Sequence, residues 1–328
     1  MCIRDSTGGV GAIHEDEKFG PDYFLPTDAY LETCAAVGAG FFSQRMNQLT
    51  CNARYMDEVE RVLYNNVLTG VSLSGDKYTY QNPLNTDKPD RWEWHVCPCC
   101  PPMFLKIMAA MPGYIYAYQG DNVYVNLFIG SEVRVPVGKS NSVRLKQLTS
   151  YPWHGAVSIQ VNPDKASTFS MKVRIPGWAQ GTENPYDLYQ SNLKAPVKLK
   201  VNQEDVLLRI VDGYAEINRE WKKGDHIELE LPMQPRLITA NKAVENLRGQ
   251  VALASGPIIY CFEDADNPEL QTFKLQAQTP LELSHDSNLL NGVNIIKCQG
   301  DIPAKAIPYY AVANREESHS YKVWIPQK

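Results

Sequence analysis

The hydrophobic pattern changes period once, near Tyr118, and that change restricts the chain to helices first and sheets after. Before it, three helices are predicted. The first covers residues 29–49, capped by Thr27-Asp28 and lined with small residues (Ala35, Ala36, Gly38, Ala39, Gly40) that allow close packing. The second covers residues 53–68, with Tyr55, Val59, Val62, Leu63 and Val67 on one stripe. The third runs from Cys100 to about Ala110, and Pro101 and Pro102 fit its first turn, where amides have no helical partner. Between them, residues 72–80 read as strand-turn-strand around Gly75-Asp76, and residues 82–91 as a polar loop. After Tyr118, short runs alternate or stay apolar at 123–129, 132–137, 143–148, 157–161, 169–175, 197–201, 214–218 and 226–231. A second strand-rich block follows, with 251–253, 257–261, 273–275 and 321–325. Many short strands of period two predict an antiparallel sandwich.

The 328 residues are 44% apolar and carry a net charge of −5 with no basic block, which argues against a nucleic-acid partner. No apolar run approaches the roughly 18 residues of a membrane span. The opening Met1-Cys-Ile-Arg-Asp-Ser6 has neither leader character nor a structural period. We read residues 1–6 as an artefact joined to the interior of a longer protein, which leaves localisation open between cytoplasm and periplasm. Oligomeric state is open as well.

Three of the eight cysteines fall within Cys97-Pro-Cys-Cys-Pro-Pro102, and Cys34 lies upstream in Leu31-Glu-Thr-Cys34. Adjacent Cys99 and Cys100 would form a disulfide only with strain, so a reduced or metal-bound state is expected. Zinc takes about four ligands, and Cys34, Cys99, Cys100 and Glu32 supply sulfur and oxygen, with His95 and Cys97 in reserve. On a regular helix Glu32 and Cys34 would point roughly 200° apart, so both can ligate one ion only if that helix is distorted or Glu32 reaches round. Cys51, Cys261 and Cys298 stand alone and are read as small buried apolar residues. Residues 14–18 cluster acids beside His14 and precede the apolar Phe19-Gly-Pro-Asp-Tyr-Phe-Leu-Pro26. A carboxyl held against such a surface would suit general-acid work. From the residues alone, a metal that merely ties helices together is as good a reading as a catalytic one.

Several stretches together resemble glycoside hydrolase family 127, the β-L-arabinofuranosidase family, and its relative family 146. They are Thr7-Gly-Gly-Val-Gly11, His14, Glu17 with its spacing to Leu25-Pro26, Tyr30-Leu-Glu-Thr-Cys-Ala35, Cys97-Pro-Cys-Cys-Pro101 and Arg174-Ile-Pro-Gly-Trp178. The resemblance implies a multidomain α + β chain. It places the C-terminal half of an (α/α)6 catalytic barrel at residues 7–117, a jelly-roll-like antiparallel β-sandwich at 118–233, and a second β-sandwich region at 234–328. It implies retaining hydrolysis with zinc as cofactor, Cys99 as nucleophile and Glu17 as general acid/base. Glu32, Cys34, Cys99 and Cys100 would hold the metal. Tyr80 would lie near the reacting sugar, and His14 would line the substrate pocket. The implied partner is a plant-derived oligosaccharide or glycan bearing β-L-arabinofuranosides.

Three helices are far fewer than such a barrel needs. The first half of the barrel is therefore expected to be missing, the chain alone to be a weak or inactive catalyst, and apolar helix faces to be exposed. Two alternatives stand beside this reading: the same chemistry on another furanose or acid sugar, and a non-catalytic carbohydrate-binding or zinc-stabilised structural module.

Overall fold

The computed structural model describes residues 4–184, 187–300 and 302–328. Three helices come first: α1 (Thr33–Thr50), α2 (Arg54–Arg61) and α3 (Cys100–Ala110). α2 runs on through a π-helical turn, Val62–Val67. The helices share one apolar core of Ala36, Val37, Met56, Val59, Val62, Leu63, Val67, Ile107 and Met111. A side chain at Gly40 would stand 3.2 Å from Ile107, so the small residues of α1 let α3 approach closely. Phe42 and Leu49 of α1 and Leu105 and Met108 of α3 are exposed, the apolar helix faces anticipated above. No helix among the described residues is long and apolar enough to cross a membrane.

α1 begins four residues later than its periodicity suggests, and Thr27-Asp28 does not cap it. Leu31 takes a left-handed conformation (φ 46°) and Glu32 is extended. Their backbone is spent on another segment. Glu32 bridges Gln81, the Thr33 amide donates to the Tyr80 carbonyl, and the Asn82 side chain donates to Leu31 O and to Thr33 Oγ1. Long-range pairing thus outcompetes the first helical turn. Residues 72–80 form a tight loop, with Val71 bridging Tyr78 and Gly75 at φ 81°. The expected polar loop at 82–91 contains a short strand, Asn85–Thr86, paired with Tyr321–Lys322.

Two sheets form the central sandwich. One has six strands, in the order 204–205, 198–201, 225–230, 156–163, 141–149 and 131–137. The other has five, in the order 210–211, 214–221, 167–174, 122–125 and 116–119. Their inward residues, among them Val123, Val135, Leu145, Ile159, Met171, Trp221 and Ile227, share one core. The expected antiparallel pairing holds except between Asn122–Val125 and Ser167–Arg174, which are parallel. The chain crosses to the other sheet for three strands between them, and a crossover return brings it back parallel.

From residue 236 the strands join one ten-stranded sheet. Leu281–Asp286, Val293–Cys298 and Ala304–Pro308 belong to it although the sequence reading passed over them, whereas 273–275 is not a strand. Val251, Leu253, Tyr260 and Phe262 face one core, and Ala252, Ala254, Ile259 and Cys261 face another. Burial on both faces explains the unbroken apolar runs. The second face packs on Ala12, Leu25, Ala29, Leu31 and Leu84, and so anchors the segment that carries Glu32. Residues 1–3 of the stretch read as an artefact lie outside the described residues. Arg4 pairs with Glu58, and Ser6 accepts a bond from Trp324 Nε1.

Asn65, in the π-helical turn, clamps helix to sheet. Its amide donates to Pro257 O (3.0 Å) and Arg61 O (2.8 Å), and its oxygen accepts from the Ile259 amide (2.7 Å). Asn65→Ala leaves two buried backbone groups unpaired and is expected to cost about 2–4 kcal/mol in chemical denaturation.

Candidate metal and active site

Two helix N-termini converge on one point. Cys34 is the second residue of α1, and Cys99 and Cys100 open α3. The amide ends of both helices favour negative charge there. Glu32 precedes the first turn of α1 in extended conformation, which removes the angular conflict expected on a regular helix. Leu31 turns into the sheet core and Thr33 Oγ1 donates to Thr79 O, while Tyr30, Glu32 and Cys34 come together at the cluster.

The donor atoms of Glu32, Cys34, Cys99 and Cys100 all lie within 4.8 Å of one another. Cys34 Sγ is 3.5 Å from Cys100 Sγ, which is 3.9 Å from Cys99 Sγ. Glu32 Oε1 is 3.4 Å from Cys99 Sγ and 3.9 Å from Cys100 Sγ. Tetrahedral zinc with Zn–S near 2.3 Å sets its sulfurs about 3.8 Å apart, so three sulfurs and one oxygen at these spacings fit such an ion. Without a cation, burial pushes the Cys99 thiol up to about 12. The contact with Cys100, aided by burial, pushes Cys34 well above the ordinary thiol range. Thiols this reluctant to ionise, packed sulfur to sulfur, are what a bound cation would convert to thiolates.

Glu17 is exposed, and Asp16 and Glu17 both have positive φ. Phe19, Tyr23 and Phe24 of the apolar run that follows are themselves exposed. What holds Glu17 is hydroxyl groups: Tyr30 donates to Oε1 at 2.8 Å and Tyr80 at 3.3 Å. The Tyr80 hydroxyl also lies 3.5 Å from Cys99 Sγ, so one hydroxyl touches both the carboxylate and the thiol. His14 sits outside this contact. Its Nε2 meets Asp28 O at 3.1 Å, its ring stands edge-on to Tyr30, and it lines a cavity of about 350 Å³ with Tyr80 and Trp92. Cys97 is exposed and outside the cluster, its amide donating to His95 Nδ1. His95 stacks on Trp92 at 4.3 Å and is not among the four donors.

Residues 6–113 match the family description "Beta-L-arabinofuranosidase, GH127 catalytic domain", residues 122–233 its middle domain and residues 235–326 its C-terminal domain. The chain belongs to glycoside hydrolase family 127.

Within the GH127 family, the chain is 31% identical to a non-reducing end β-L-arabinofuranosidase of Bifidobacterium longum subsp. longum, over 94% of this chain and 51% of the relative. It superposes on the structure of a GH127 β-arabinofuranosidase with a TM-score of 0.93 and 36% identity, covering 99% of this chain and 54% of the other. A GH127 β-L-arabinofuranosidase of Geobacillus stearothermophilus T6 gives 0.91 and 35%, with coverages of 99% and 55%. The chain therefore spans about half the length of these GH127 relatives. Tyr30, which touches Glu17 and Glu32, and Trp92, which packs at the cluster, are the site residues that sequence reasoning passed over. Tyr30 stood inside the quoted Tyr30-Leu-Glu-Thr-Cys34, where reading alternate residues 30, 32 and 34 as one group would have found it.

Proposed function

We propose that this chain carries the reacting groups of a retaining glycosidase that releases L-arabinose from β-L-arabinofuranosides of plant glycans. Zinc is the cofactor, held by Glu32, Cys34, Cys99 and Cys100, and it would keep the sulfurs as thiolates at neutral pH. Helices α1–α3 would form part of an (α/α)6 barrel. The carrying observation is the Tyr80 hydroxyl shared by Cys99 Sγ and Glu17 Oε1. Contacts of 3.5 and 3.3 Å to one hydroxyl keep these two groups close enough for the separation of about 5–5.5 Å that double displacement uses, which supports the reading.

Cys99 Sγ bonds to the anomeric carbon as the glycosidic C–O bond breaks, and Glu17 gives its proton to the departing oxygen. Glu17 then takes a proton from water as the water oxygen attacks the same carbon. The C–S bond breaks and the Cys99 thiolate is restored. Tyr80 donates to whichever of the two anions needs it. Tyr80, in contact with both reacting groups, and His14, edge-on to Tyr30, would stand beside the sugar.

A second reading rests on the donor set itself. Four protein ligands close a zinc site, the habit of structural rather than catalytic zinc. Trapping separates the two. Incubation of the zinc-loaded chain with a mechanism-based β-L-arabinofuranosyl inhibitor is expected to leave one adduct, mapped by mass spectrometry to Cys99. Zinc bound at one per chain with no adduct at Cys99 would favour the structural reading. Cys100→Ala removes a ligand without removing the nucleophile and is expected to weaken zinc binding by about 100-fold or more, read by competition with a chromophoric chelator.

A further inference from the structure

The Tyr30 hydroxyl carries one hydrogen and stands between two carboxylates. It is 2.8 Å from Glu17 Oε1 and 3.4 Å from Glu32 Oε2. Glu32 faces the sulfurs with its other oxygen, Oε1, so Tyr30 reaches the cluster through the far side of a ligand. The ring is buried and held edge-on by His14 at 5.5 Å and Tyr80 at 6.2 Å. The ring is therefore fixed while the hydroxyl hydrogen is free to rotate. A single hydrogen serves one acceptor at a time, and a charged acceptor outbids a neutral one.

We propose that Tyr30 is a positioning residue that couples the charge state of Glu17 to the donor strength of Glu32. The inference rests on the metal reading above. With Glu17 ionised, the Tyr30 hydrogen lies on Glu17 and Glu32 keeps its full charge for the metal. With Glu17 neutral, the hydrogen turns to Glu32 Oε2 and draws charge away from the ligand. The proton that Glu17 gives and regains in each half of the reaction is thereby registered at the metal site, one hydrogen bond away. Tyr80 cannot substitute: its hydroxyl meets Glu17, Cys99 Sγ and the Tyr30 hydroxyl, and among the described residues it makes no hydrogen bond to Glu32.

The test is zinc affinity in four proteins: the unsubstituted chain, Glu17→Gln, Tyr30→Phe and the double variant. Removing the Glu17 charge acts on the cation through space in both backgrounds, and that part cancels in the comparison. Glu17→Gln is expected to weaken zinc binding at least about fivefold more with the Tyr30 hydroxyl present than without it. A merely structural Tyr30 would lower affinity by the same factor whichever residue stands at 17. Glu17→Gln effects that agree within about twofold in the two backgrounds would overturn the proposal. Should Tyr30→Phe not fold, the neutron structure of Glu17→Gln decides. The hydroxyl hydrogen is expected to point at Glu32 Oε2, and a hydrogen still pointing at residue 17 overturns the coupling. Failure of the unsubstituted chain to bind zinc would instead overturn the metal reading, and the Glu17→Gln structure would still decide the switch.

Discussion

Replacing Arg174 by methionine is expected to lower the unfolding free energy of the chain by about 3–5 kcal/mol at pH 8, measured by chemical denaturation. Arg174 is fully buried where the sandwich meets α2. It pairs with Asp57 at 2.7 Å and, closely, with Glu60, whose oxygens also accept from Trp178 Nε1 and the Tyr151 hydroxyl. Burial works against the guanidinium charge, but Glu60 and Asp57 outweigh it and hold the group protonated. Methionine fills much of the space and strands both carboxylates. The exposed pair Arg134–Asp164 is the control, and Arg134→Met should cost about 0–1 kcal/mol.

The sign of the pH dependence follows from Asp57. Burial, opposed by Arg174, already lifts its carboxyl from 3.8 to about 6. A folded-state value above the unfolded one contributes stability that is full below pH 3.8 and lost as pH rises through 6. Without Arg174 the carboxyl rises further. The deficit of the variant should therefore be smaller at pH 5 than at pH 8. A deficit below about 1 kcal/mol at pH 8 would show that this junction does not hold the sandwich to α2.

The same network shows where sequence reading stops. Arg174-Ile-Pro-Gly-Trp178 was visible as a motif, but its partners Asp57 and Glu60 lie more than a hundred residues upstream and carry no local mark. α3 was legible to the residue because Pro101 and Pro102 fit only a first turn. The start of α1 was not, because Ala29-Tyr-Leu-Glu32 reads as helix until Tyr80–Asn82 arrives from fifty residues away to take its backbone. That error created the apparent conflict between Glu32 and Cys34, and the extended Glu32 removes it. The four donors were legible as residue types, since thiols and a carboxylate at such density have few other uses. Of the two hydroxyls that hold Glu17, Tyr80 was legible only through the family resemblance, and Tyr30 was passed over because its place beside Glu17 depends on contacts made across the fold.

Cys99→Ser is expected to lower hydrolysis of aryl β-L-arabinofuranosides by about 10⁴-fold or more while the fold is retained, because a serine hydroxyl is far harder to ionise than a thiol. Glu17→Gln should behave differently. Substrates with poor leaving groups should lose about 10²–10⁴-fold, and those with good leaving groups should react at their first step nearly as before. Added azide should then rescue turnover by attacking the sugar on Cys99, giving β-L-arabinofuranosyl azide with retained configuration, since no base is needed to activate an anion. The contrast between the two variants is the diagnostic. Each is assayed in the chain alone and in the chain extended by the region its relatives carry outside the matched half. The chain alone is expected to be the weaker catalyst, because Phe42, Leu49, Leu105 and Met108 stand uncovered on the helices whose N-termini build the site. Wild-type turnover in Cys99→Ser would remove the nucleophile assignment. Azide without effect on a folded Glu17→Gln would remove the acid/base assignment and leave the metal cluster as a clamp between α1 and α3.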